Sequence, residues 1–286
     1  MLIPQKYGSA RLAVSKSITA TRFLNRNINA YAEEKGGENC MIDLHSHILA
    51  GFDHGSESFA MSLAMARIAN QTGTRQLVAT PHIKTGGTIP DWEEIVVGSQ
   101  ELQCIARQIN IDIVILPGAE ITAYPEVLDL LTGPGPYCIN CGRYMLVEFP
   151  ASVLPLYADE FFFTLQLRGI TPIIAHPERH SEIMNEPFLL KKYIERGVLI
   201  QMNGASLTGQ CGRKVKAAAE FLLKKDMVHC IGSDAHGDIH RSPNLLLARR
   251  RILEIQGESR AREILVHNPA CIIGSKDLKN SCRILA

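Results

Sequence analysis

The sequence predicts an α/β fold, a distorted (β/α)7 TIM-like barrel. Seven short apolar runs have the length and composition of buried strands. Helical patterns separate these runs, and alternating strands and helices are typical of a mostly parallel sheet. A residue that can bind a metal or a phosphate follows each run, which is where parallel barrels carry their active sites. Seven units are one fewer than in the standard barrel, so we expect a distorted or open form.

The predicted strands share a high content of aliphatic residues. They are Met41–Leu44, Gln76–Thr80, Ile111–Pro117, Tyr144–Val147, Thr171–Ala175, Val198–Met202 and Met227–Ile231. The residues with polar ligand atoms just past them are His45 and His47, His82, Glu120, Glu148, His176, Asn203, and the pair Asp234 and His236. Because the carboxyl ends of parallel strands meet on one face of a barrel, these side chains are expected to converge on a polynuclear metal site.

Helix start and stop signals lie between the runs. Ser56 can cap the first helix and Gly73 can end it. Asp91 and Glu94 have the spacing of a capping box at the start of the second helix. Further helices are predicted near Tyr124–Leu131, Pro155–Arg168, Glu186–Arg196, Gly212–Lys225 and Pro243–Gln256.

The first forty residues differ from the rest of the chain. They contain five basic residues before the first acid, Glu33, and no apolar run that is long enough for a signal peptide or a membrane span. A mitochondrial-type presequence, a disordered arm and upstream sequence outside the working protein are the three interpretations. The last two are favoured, because Met41 opens the first strand and could itself be a start residue. We therefore expect an extension, residues 1–40, and a barrel domain, residues 41–286.

Charge and cysteine content restrict the classes of partner and the cellular compartment that we expect. The formal net charge is +1, which gives no reason to expect a nucleic acid or an anionic membrane as a partner. The eight cysteines are scattered, unlike those of a secreted disulfide scaffold, and favour a reducing cytoplasm. Cys138 and Cys141 form one C-x-x-C pair without a second pair at zinc-ribbon spacing, so they are interpreted as ordinary thiols.

The ligand pattern begins with two histidines on the first strand. Alternation along a strand directs His45 and His47 to the same side, where two imidazoles can bind one cation. A single H-x-H is weak support, and a lone glutamate or histidine at a strand end is usually a solvated or structural residue. Six further groups join this pair, at Asp53 with His54, His82, Glu120, Glu148, His176, and Asp234 with His236. A metal site is the interpretation that accounts for the whole set.

Oxygen and imidazole ligands suit manganese, iron or zinc, and closely spaced divalent ions make hydroxide available near neutral pH. Such ions also stabilise a phosphoryl group, so the pattern predicts phosphomonoester hydrolysis. Arg179 and Arg241 are the candidate catalytic and substrate-binding cations, because a guanidinium can bind two phosphate oxygens. Either could instead form a surface salt bridge. Asn203 could orient the substrate or satisfy loop backbone.

A covalent thiolate mechanism is disfavoured by the cysteine positions. Thiolate tyrosine phosphatases carry an arginine six positions after the nucleophilic cysteine, and no cysteine in this chain meets that requirement. Cys230 has His236 at that offset, and Cys138 has Arg143 only five positions later. Metal-activated water is therefore preferred to a phosphocysteine intermediate.

Five segments carry a resemblance to a known family. They are residues 41–47, 79–82, 175–179, 203–212 and 232–236. From Met41 to about Leu253 the chain resembles the polymerase and histidinol phosphatase (PHP) family, and within it the bacterial manganese-dependent tyrosine-protein phosphatases of the capsule and exopolysaccharide type. The resemblance implies a PHP-type phosphatase domain in the cytoplasm, without membrane insertion. It also implies, as a partner, the phosphotyrosine tail of a polysaccharide-assembly kinase; an oligomer is possible.

The resemblance further implies a site for three Mn²⁺ ions, with Fe or Zn as alternatives. By position, the first ion would bind His45, His47, Glu120 and Asp234; Glu120 would bridge to a second held by Glu148 and His176; His54, His82 and His236 would bind the third. The chain departs from the family at His54, where this branch usually has aspartate before the glycine at Gly55. Histidine is a ligand at the matching place in other PHP proteins, and Asp53 is the alternative ligand.

Two other classes share much of this pattern. A small-molecule PHP phosphatase, such as one acting on histidinol phosphate, would have nearly the same ligands and different substrate loops. A non-catalytic relative would bind metal without turnover, although such proteins tend to lose ligands. A metal-dependent amidohydrolase would also use a barrel with H-x-H, but no lysine stands out here as a candidate for carboxylation.

The composition of residues 1–40 generates a prediction. A chain that begins at Met41 is expected to keep the melting temperature and kcat/KM of the full chain, because the extension lacks a pattern that the barrel needs. Thermal unfolding and steady-state kinetics of both chains measure this. Insolubility or lost activity of the shorter chain would mean that the extension packs against the barrel.

Overall fold

The computed structural model describes residues 40–84, 89–150 and 154–278. The predictions for residues 1–39 lie outside this part of the chain. The strands are β1 Met41–Ser46, β2 Thr74–Ala79, β3 His82–Ile83, β4 Val114–Pro117, β5 Glu120–Thr122, β6 Tyr144–Glu148, β7 Thr171–Ala175, β8 Leu199–Asn203 and β9 Cys230–Gly232. Every pair of neighbouring strands is parallel.

Helices connect the strands. The α-helices are α1 Phe59–Gln71, α2 Trp92–Gln108, α3 Ala158–Leu167, α4 Ser181–Asn185, α5 Lys191–Glu195, α6 Gly204–Thr208, α7 Arg213–Lys224, α8 Leu246–Arg262 and α9 Asn268–Ile273. Short 3₁₀ segments span Pro125–Leu130, Ile139–Cys141, Pro177–Arg179 and Pro187–Leu190, and a π segment spans Glu263–His267. Among the helices of the described ranges, none has both the length and the apolar composition needed to cross a membrane.

The strands form a seven-unit barrel, as predicted. Hydrogen bonding gives two ladders, β1-β2-β4 and β3-β5-β6-β7-β8-β9. β3 continues β2 after a break of two residues, and β5 continues β4 in the same way. The nine strands therefore occupy seven places around the barrel. Pro81, which has no N–H for a ladder, lies in the first break. A parallel bridge between Ser46 and Ala235 joins β1 to the segment after β9 and closes the barrel.

Several helix boundaries differ from the predictions. Ser58, rather than Ser56, caps α1, because its Oγ accepts the N–H of Met61 while the Ser56 hydroxyl contacts Ser62 Oγ at 2.9 Å. The capping box at α2 is confirmed: the Asp91 N–H donates to Glu94 Oε2 at 3.2 Å.

Three predicted helices differ from the structure in type or extent. The segment predicted at Tyr124–Leu131 is the 3₁₀ helix Pro125–Leu130, a form that is common in short connectors. The segment predicted at Glu186–Arg196 divides into the 3₁₀ turn Pro187–Leu190 and α5. The last predicted helix runs on to Arg262 past a kink at Gly257, whose φ is +79°.

Gly232 allows β9 to approach its neighbours closely. A Cβ atom at this position would lie 2.6 Å from His45 Cβ and 2.8 Å from Gln201 Nε2. Both contacts are shorter than carbon and nitrogen atoms tolerate, and they come from β1 and β8, the strands on either side. The absence of a side chain at Gly232 therefore permits barrel closure at the level of His45.

This close approach generates a prediction. Gly232→Ala is expected to lower the free energy of unfolding by about 1–3 kcal/mol, because the added methyl overpacks the closure. Gly133→Ala is the matched control, since its Cβ would have no neighbour closer than 3.7 Å. Denaturant unfolding of both variants measures the difference. Equal stability of Gly232→Ala and wild type would show that β1 and β9 can separate without cost.

Candidate metal centre

Four side-chain atoms from three parts of the barrel form a tight cage. His45 Nε2 lies 3.1 Å from His47 Nε2, 3.2 Å from Glu120 Oε2 and 3.6 Å from Asp234 Oδ1. His47 Nε2 lies 3.3 Å from Glu120 Oε2 and 3.4 Å from Asp234 Oδ1. All four side chains are buried. The cage contains the residues that the resemblance assigns to the first ion.

Glu120 lies between this cage and a second group. Its Oε1 is 2.9 Å from His176 Nε2, and its Oε2 is 3.2 Å from His82 Nδ1. His82 Nδ1 is also 3.2 Å from Glu148 Oε1, which accepts a hydrogen bond from Thr122 Oγ1 at 2.7 Å. The two oxygens of Glu120 therefore face different imidazoles, as a bridging ligand requires. His82, assigned by sequence to the third ion, also contacts the second group.

The third group contains His54, His82 and His236. His54 Nε2 lies 3.1 Å from His236 Nε2, and the rings of His54 and His82 stack with centroids 4.9 Å apart. His236 also packs against His47, with ring centroids at 4.0 Å. The structure therefore places His54 beside His236 and His82.

Asp53, the alternative ligand, lies behind His47. Its Oδ2 is 2.6 Å from His47 Nδ1 and accepts the N–H of His82 at 3.0 Å, while its Oδ1 accepts the N–H of Gly55 at 2.8 Å. Both oxygens of Asp53 are thus already hydrogen-bonded. This contact orients His47 so that its Nε2 faces the cage.

Charge pairing sets the protonation of the cage. Burial raises the pKa of Glu120 and of Asp234, but the nearby histidines outweigh it and hold both pKa values well below the usual range. Burial lowers the pKa of His47, yet Asp234, Asp53 and Glu120 raise it well above its usual range. In the same way Glu120 raises the pKa of His176 to about 9, against the effect of burial. A divalent cation would replace protons at these imidazoles.

The third group differs electrostatically. Burial and the charge of His47 lower the pKa of His236 to about 3, and burial and His82 lower the pKa of His54. Both imidazoles are therefore neutral at pH 7 and have a lone pair available for a cation.

The donor atoms fit a divalent metal. Glu120 Oε2 and His82 Nδ1 are buried without a hydrogen-bond partner among the described residues, although they lie 3.2 Å apart. Leaving such atoms unsatisfied is costly, and a cation between them would satisfy both. Carboxylate oxygens mixed with imidazole nitrogens suit manganese, iron or zinc.

Arg179 and Arg241 both contact Oδ2 of Asp234, the oxygen that does not face the cage. Arg179 Nη1 and Arg241 Nη2 lie 2.8 Å and 2.6 Å from Asp234 Oδ2. Their side chains are 39% and 42% exposed and line a pocket of about 520 Å³ over the ligand cluster. The contacts with Asp234 hold both guanidinium groups at the pocket wall while leaving part of each open to a ligand.

Asn203 lies beneath the pocket instead of on its wall. It is 2% exposed, and its Nδ2 donates to Asp234 Oδ2 at 2.7 Å. Its backbone N–H donates to Glu178 Oε1 at 3.0 Å. This buried position favours a role in orienting Asp234, instead of the predicted contact with substrate.

Sequence reasoning missed several residues around the ligands. Gln201, two positions before Asn203 on β8, contacts His45 Nδ1 at 3.1 Å, and a glutamine within an apolar strand was the available signal. Glu178, fully buried, accepts the Ser206 hydroxyl at 2.6 Å, and nothing in its loop position indicated burial. The pocket walls also include Lys84, Tyr124, Phe149, Pro150 and His180.

This chain is similar to known proteins over most of its length. Residues 41–274 match the family described as capsular polysaccharide synthesis, CpsB/CapC. The tyrosine-protein phosphatase YwqE of Bacillus subtilis (strain 168) is 38% identical over 196 residues, which are 68% of this chain and 77% of YwqE. The tyrosine-protein phosphatase CpsB of Streptococcus pneumoniae is 31% identical over 238 residues, 82% of this chain and 98% of CpsB.

A similar fold has been solved crystallographically. A chain from the crystal structures of YwqE from Bacillus subtilis and CpsB from Streptococcus pneumoniae, described as unique metal-dependent tyrosine phosphatases, superposes with a TM-score of 0.79. The two chains are 32% identical, and the match covers 86% of this chain and all of the other. With a family match over most of its length, this chain belongs to the CpsB/CapC family.

Proposed function

We propose that this chain is a metal-dependent phosphomonoester hydrolase that acts on phosphotyrosine in proteins. The observation that carries the proposal is that seven ligand-type side chains and two arginines line one pocket. Glu120, one of the seven, also contacts the buried His45 and His47 and so joins the cage to the second group. The names of the similar proteins, tyrosine phosphatases, support the substrate class.

Each group of ligands would hold one ion. His45, His47, Glu120 and Asp234 would bind the first, and Glu120 would bridge to the second at Glu148, His176 and His82. His54, His236 and His82 would bind the third. When bound, such ions supply a water of lowered pKa and positive charge beside the phosphoryl group. Manganese is the proposed native metal, with iron or zinc as alternatives.

The protein residues orient the ligands and the substrate. Arg179 and Arg241 would bind phosphate oxygens through the N–H groups that do not contact Asp234. Asp53 keeps the proton of His47 on Nδ1, and Thr122 fixes Glu148 Oε1. These contacts limit the rotation of ligand side chains before the substrate arrives.

The pocket walls support an aromatic phosphoester. Tyr124, Phe149 and Pro150 present flat or apolar surfaces beside the ligand cluster, and the ring of Phe149 is packed against Phe162 with centroids 5.8 Å apart. An aromatic leaving group can pack against such a wall. The proposed partner is the phosphotyrosine tail of a polysaccharide-assembly kinase, and the proposed location is the cytoplasm.

One comparison of substrates tests this function. A manganese-loaded preparation is expected to give a higher kcat/KM for a phosphotyrosine peptide than for a phosphoserine peptide or histidinol phosphate. Chelation should abolish turnover and manganese should restore it, whereas thiol alkylation should leave turnover largely intact. Preference for histidinol phosphate would assign a small-molecule phosphatase, and metal binding without turnover of any phosphoester would assign a binding protein.

His54 provides a second prediction. His54→Ala is expected to lose one bound ion, because the third group would keep only His82 and His236. His54→Asp should bind manganese more tightly than wild type and keep its activity, since a carboxylate adds negative charge and a harder oxygen ligand. Metal content and manganese titrations of the three proteins measure both effects. Full metal content and wild-type kinetics in His54→Ala would remove His54 from the site.

A further inference from the structure

Two buried amides on β8 connect the metal ligands to one another. Gln201 and Asn203 are alternate residues of the strand, and their side chains are 0% and 2% exposed. Gln201 Oε1 lies 3.1 Å from His45 Nδ1, and Gln201 Nε2 donates to Asn203 Oδ1 at 3.0 Å. Asn203 Nδ2 donates to Asp234 Oδ2 at 2.7 Å. We name this pair the amide relay, because it joins His45 on β1 to Asp234 after β9.

The contacts at both ends of the amide relay determine which way the oxygen and nitrogen of each amide face. Gln201 Oε1 also accepts the backbone N–H of His176 at 3.3 Å, and a backbone N–H can only donate. At the other end, an ionised Asp234 can only accept, so the nitrogen of Asn203 must face it. Asn203 therefore presents its oxygen to Gln201, which must offer its nitrogen in return. Both ends thus require the same orientation of Gln201.

This orientation determines the tautomer of His45. Because an oxygen of Gln201 faces His45 Nδ1, that nitrogen must carry the proton and donate it. The lone pair then remains on Nε2, the atom that lies in the cage 3.2 Å from Glu120 Oε2. A reversed amide would place an N–H against the N–H of His176 and favour a proton on Nε2, where it would block a cation.

We propose that Gln201 is a positioning residue that holds His45 in the Nδ1-protonated tautomer, and that Asn203 keeps Gln201 in the required orientation. The inference rests on the proposed function only in that a metal ion binds in the cage. The other histidine of the pair, His47, has Asp53 behind it at 2.6 Å. The two ligands of one strand thus have different supports, a neutral amide for His45 and a carboxylate for His47.

The side chain of Glu178 supports the amide relay. The Asn203 N–H donates to Glu178 Oε1 at 3.0 Å, and the Ser206 hydroxyl donates to the same oxygen at 2.6 Å. Glu178 therefore joins the end of β8 to α6, the helix that follows. These two hydrogen bonds satisfy Oε1 of the fully buried Glu178, one residue before Arg179.

Three substitutions separate tautomer control from packing. Gln201→Met removes both hydrogen-bonding groups at similar volume. Gln201→Glu keeps an acceptor for His45 Nδ1 and for the His176 N–H but loses the donor to Asn203 Oδ1. Gln103→Met is the matched control for loss of a buried glutamine. Gln103 lies on α2, where it donates to Ile113 O at 2.9 Å and accepts the Ile115 N–H at 2.6 Å, remote from the ligands.

Metal affinity is the measurement. Mn²⁺ and Zn²⁺, each alone, are titrated into the metal-free full chain against a competing chelator, and thermal unfolding of the metal-free proteins is recorded in parallel. Gln201→Met is expected to weaken metal binding roughly 10- to 100-fold, the usual effect of losing a partner behind a ligand. Gln201→Glu should bind metal more tightly than Gln201→Met and less tightly than wild type, because it keeps the acceptor for His45 Nδ1 and loses the donor to Asn203 Oδ1. Gln103→Met should lower the melting temperature without changing metal affinity.

The outcomes distinguish this inference from the proposed function. Equal metal affinity of Gln201→Met and wild type would overturn the inference, as would equal losses in Gln201→Met and Gln201→Glu, which would assign Gln201 a packing role. A comparable loss in Gln103→Met would attribute the effect to stability and would also overturn it. If wild type binds neither ion, the proposed function itself fails.

Discussion

The carboxylate of Glu120 is the group on which the rest of the centre depends. It is fully buried, and its oxygens lie within 3.3 Å of imidazole nitrogens from His45, His47, His82 and His176. A buried charge is tolerated only where opposite charges or hydrogen bonds compensate it. The raised pKa values of His47, His82 and His176 provide this compensation in the metal-free protein, and bound cations would take it over. Because these side chains come from β1, β3, β5 and the end of β7, the carboxyl ends of these strands must stay close together around Glu120.

Barrel closure and ligand placement depend on the same contacts. Asp43 Oδ1 accepts the N–H groups of Ser233 at 2.9 Å and of His45 at 3.2 Å, and the Ser233 hydroxyl donates to His45 O at 3.1 Å. These bonds join β1 to the segment after β9 beside the cage. The backbone turns sharply there, since Asp234 has φ +51°, and His176 after β7 has φ +33°. Left-handed backbone at non-glycine residues is unfavourable, and at both positions it brings a ligand-type side chain into the cluster.

The strands and the ligand types were predictable because both follow local patterns. Buried parallel strands are nearly continuous apolar runs, and a polar residue at the end of each run marks the active face. Features that depend on distances between strands were not predictable. His82 contacts both Glu120 and Glu148, so it belongs to two groups at once, which its place after β2 does not indicate. The cap at Ser58 was missed because Ser56 has an equally suitable side chain, and only the contact with Ser62 shows that Ser56 is used elsewhere.

Asp234 contacts both the imidazole cage and the two arginines of the pocket wall. Its Oδ1 faces the imidazoles of His45 and His47, while its Oδ2 accepts from Arg179, Arg241 and Asn203. A cation on Oδ1 would withdraw charge from the whole carboxylate and so weaken its attraction for the two guanidinium groups. The arginines would then be freer to bind phosphate oxygens once the cage is filled. Asp234 thus connects the proposed ion in the cage to the two arginines that would bind phosphate through their remaining N–H groups.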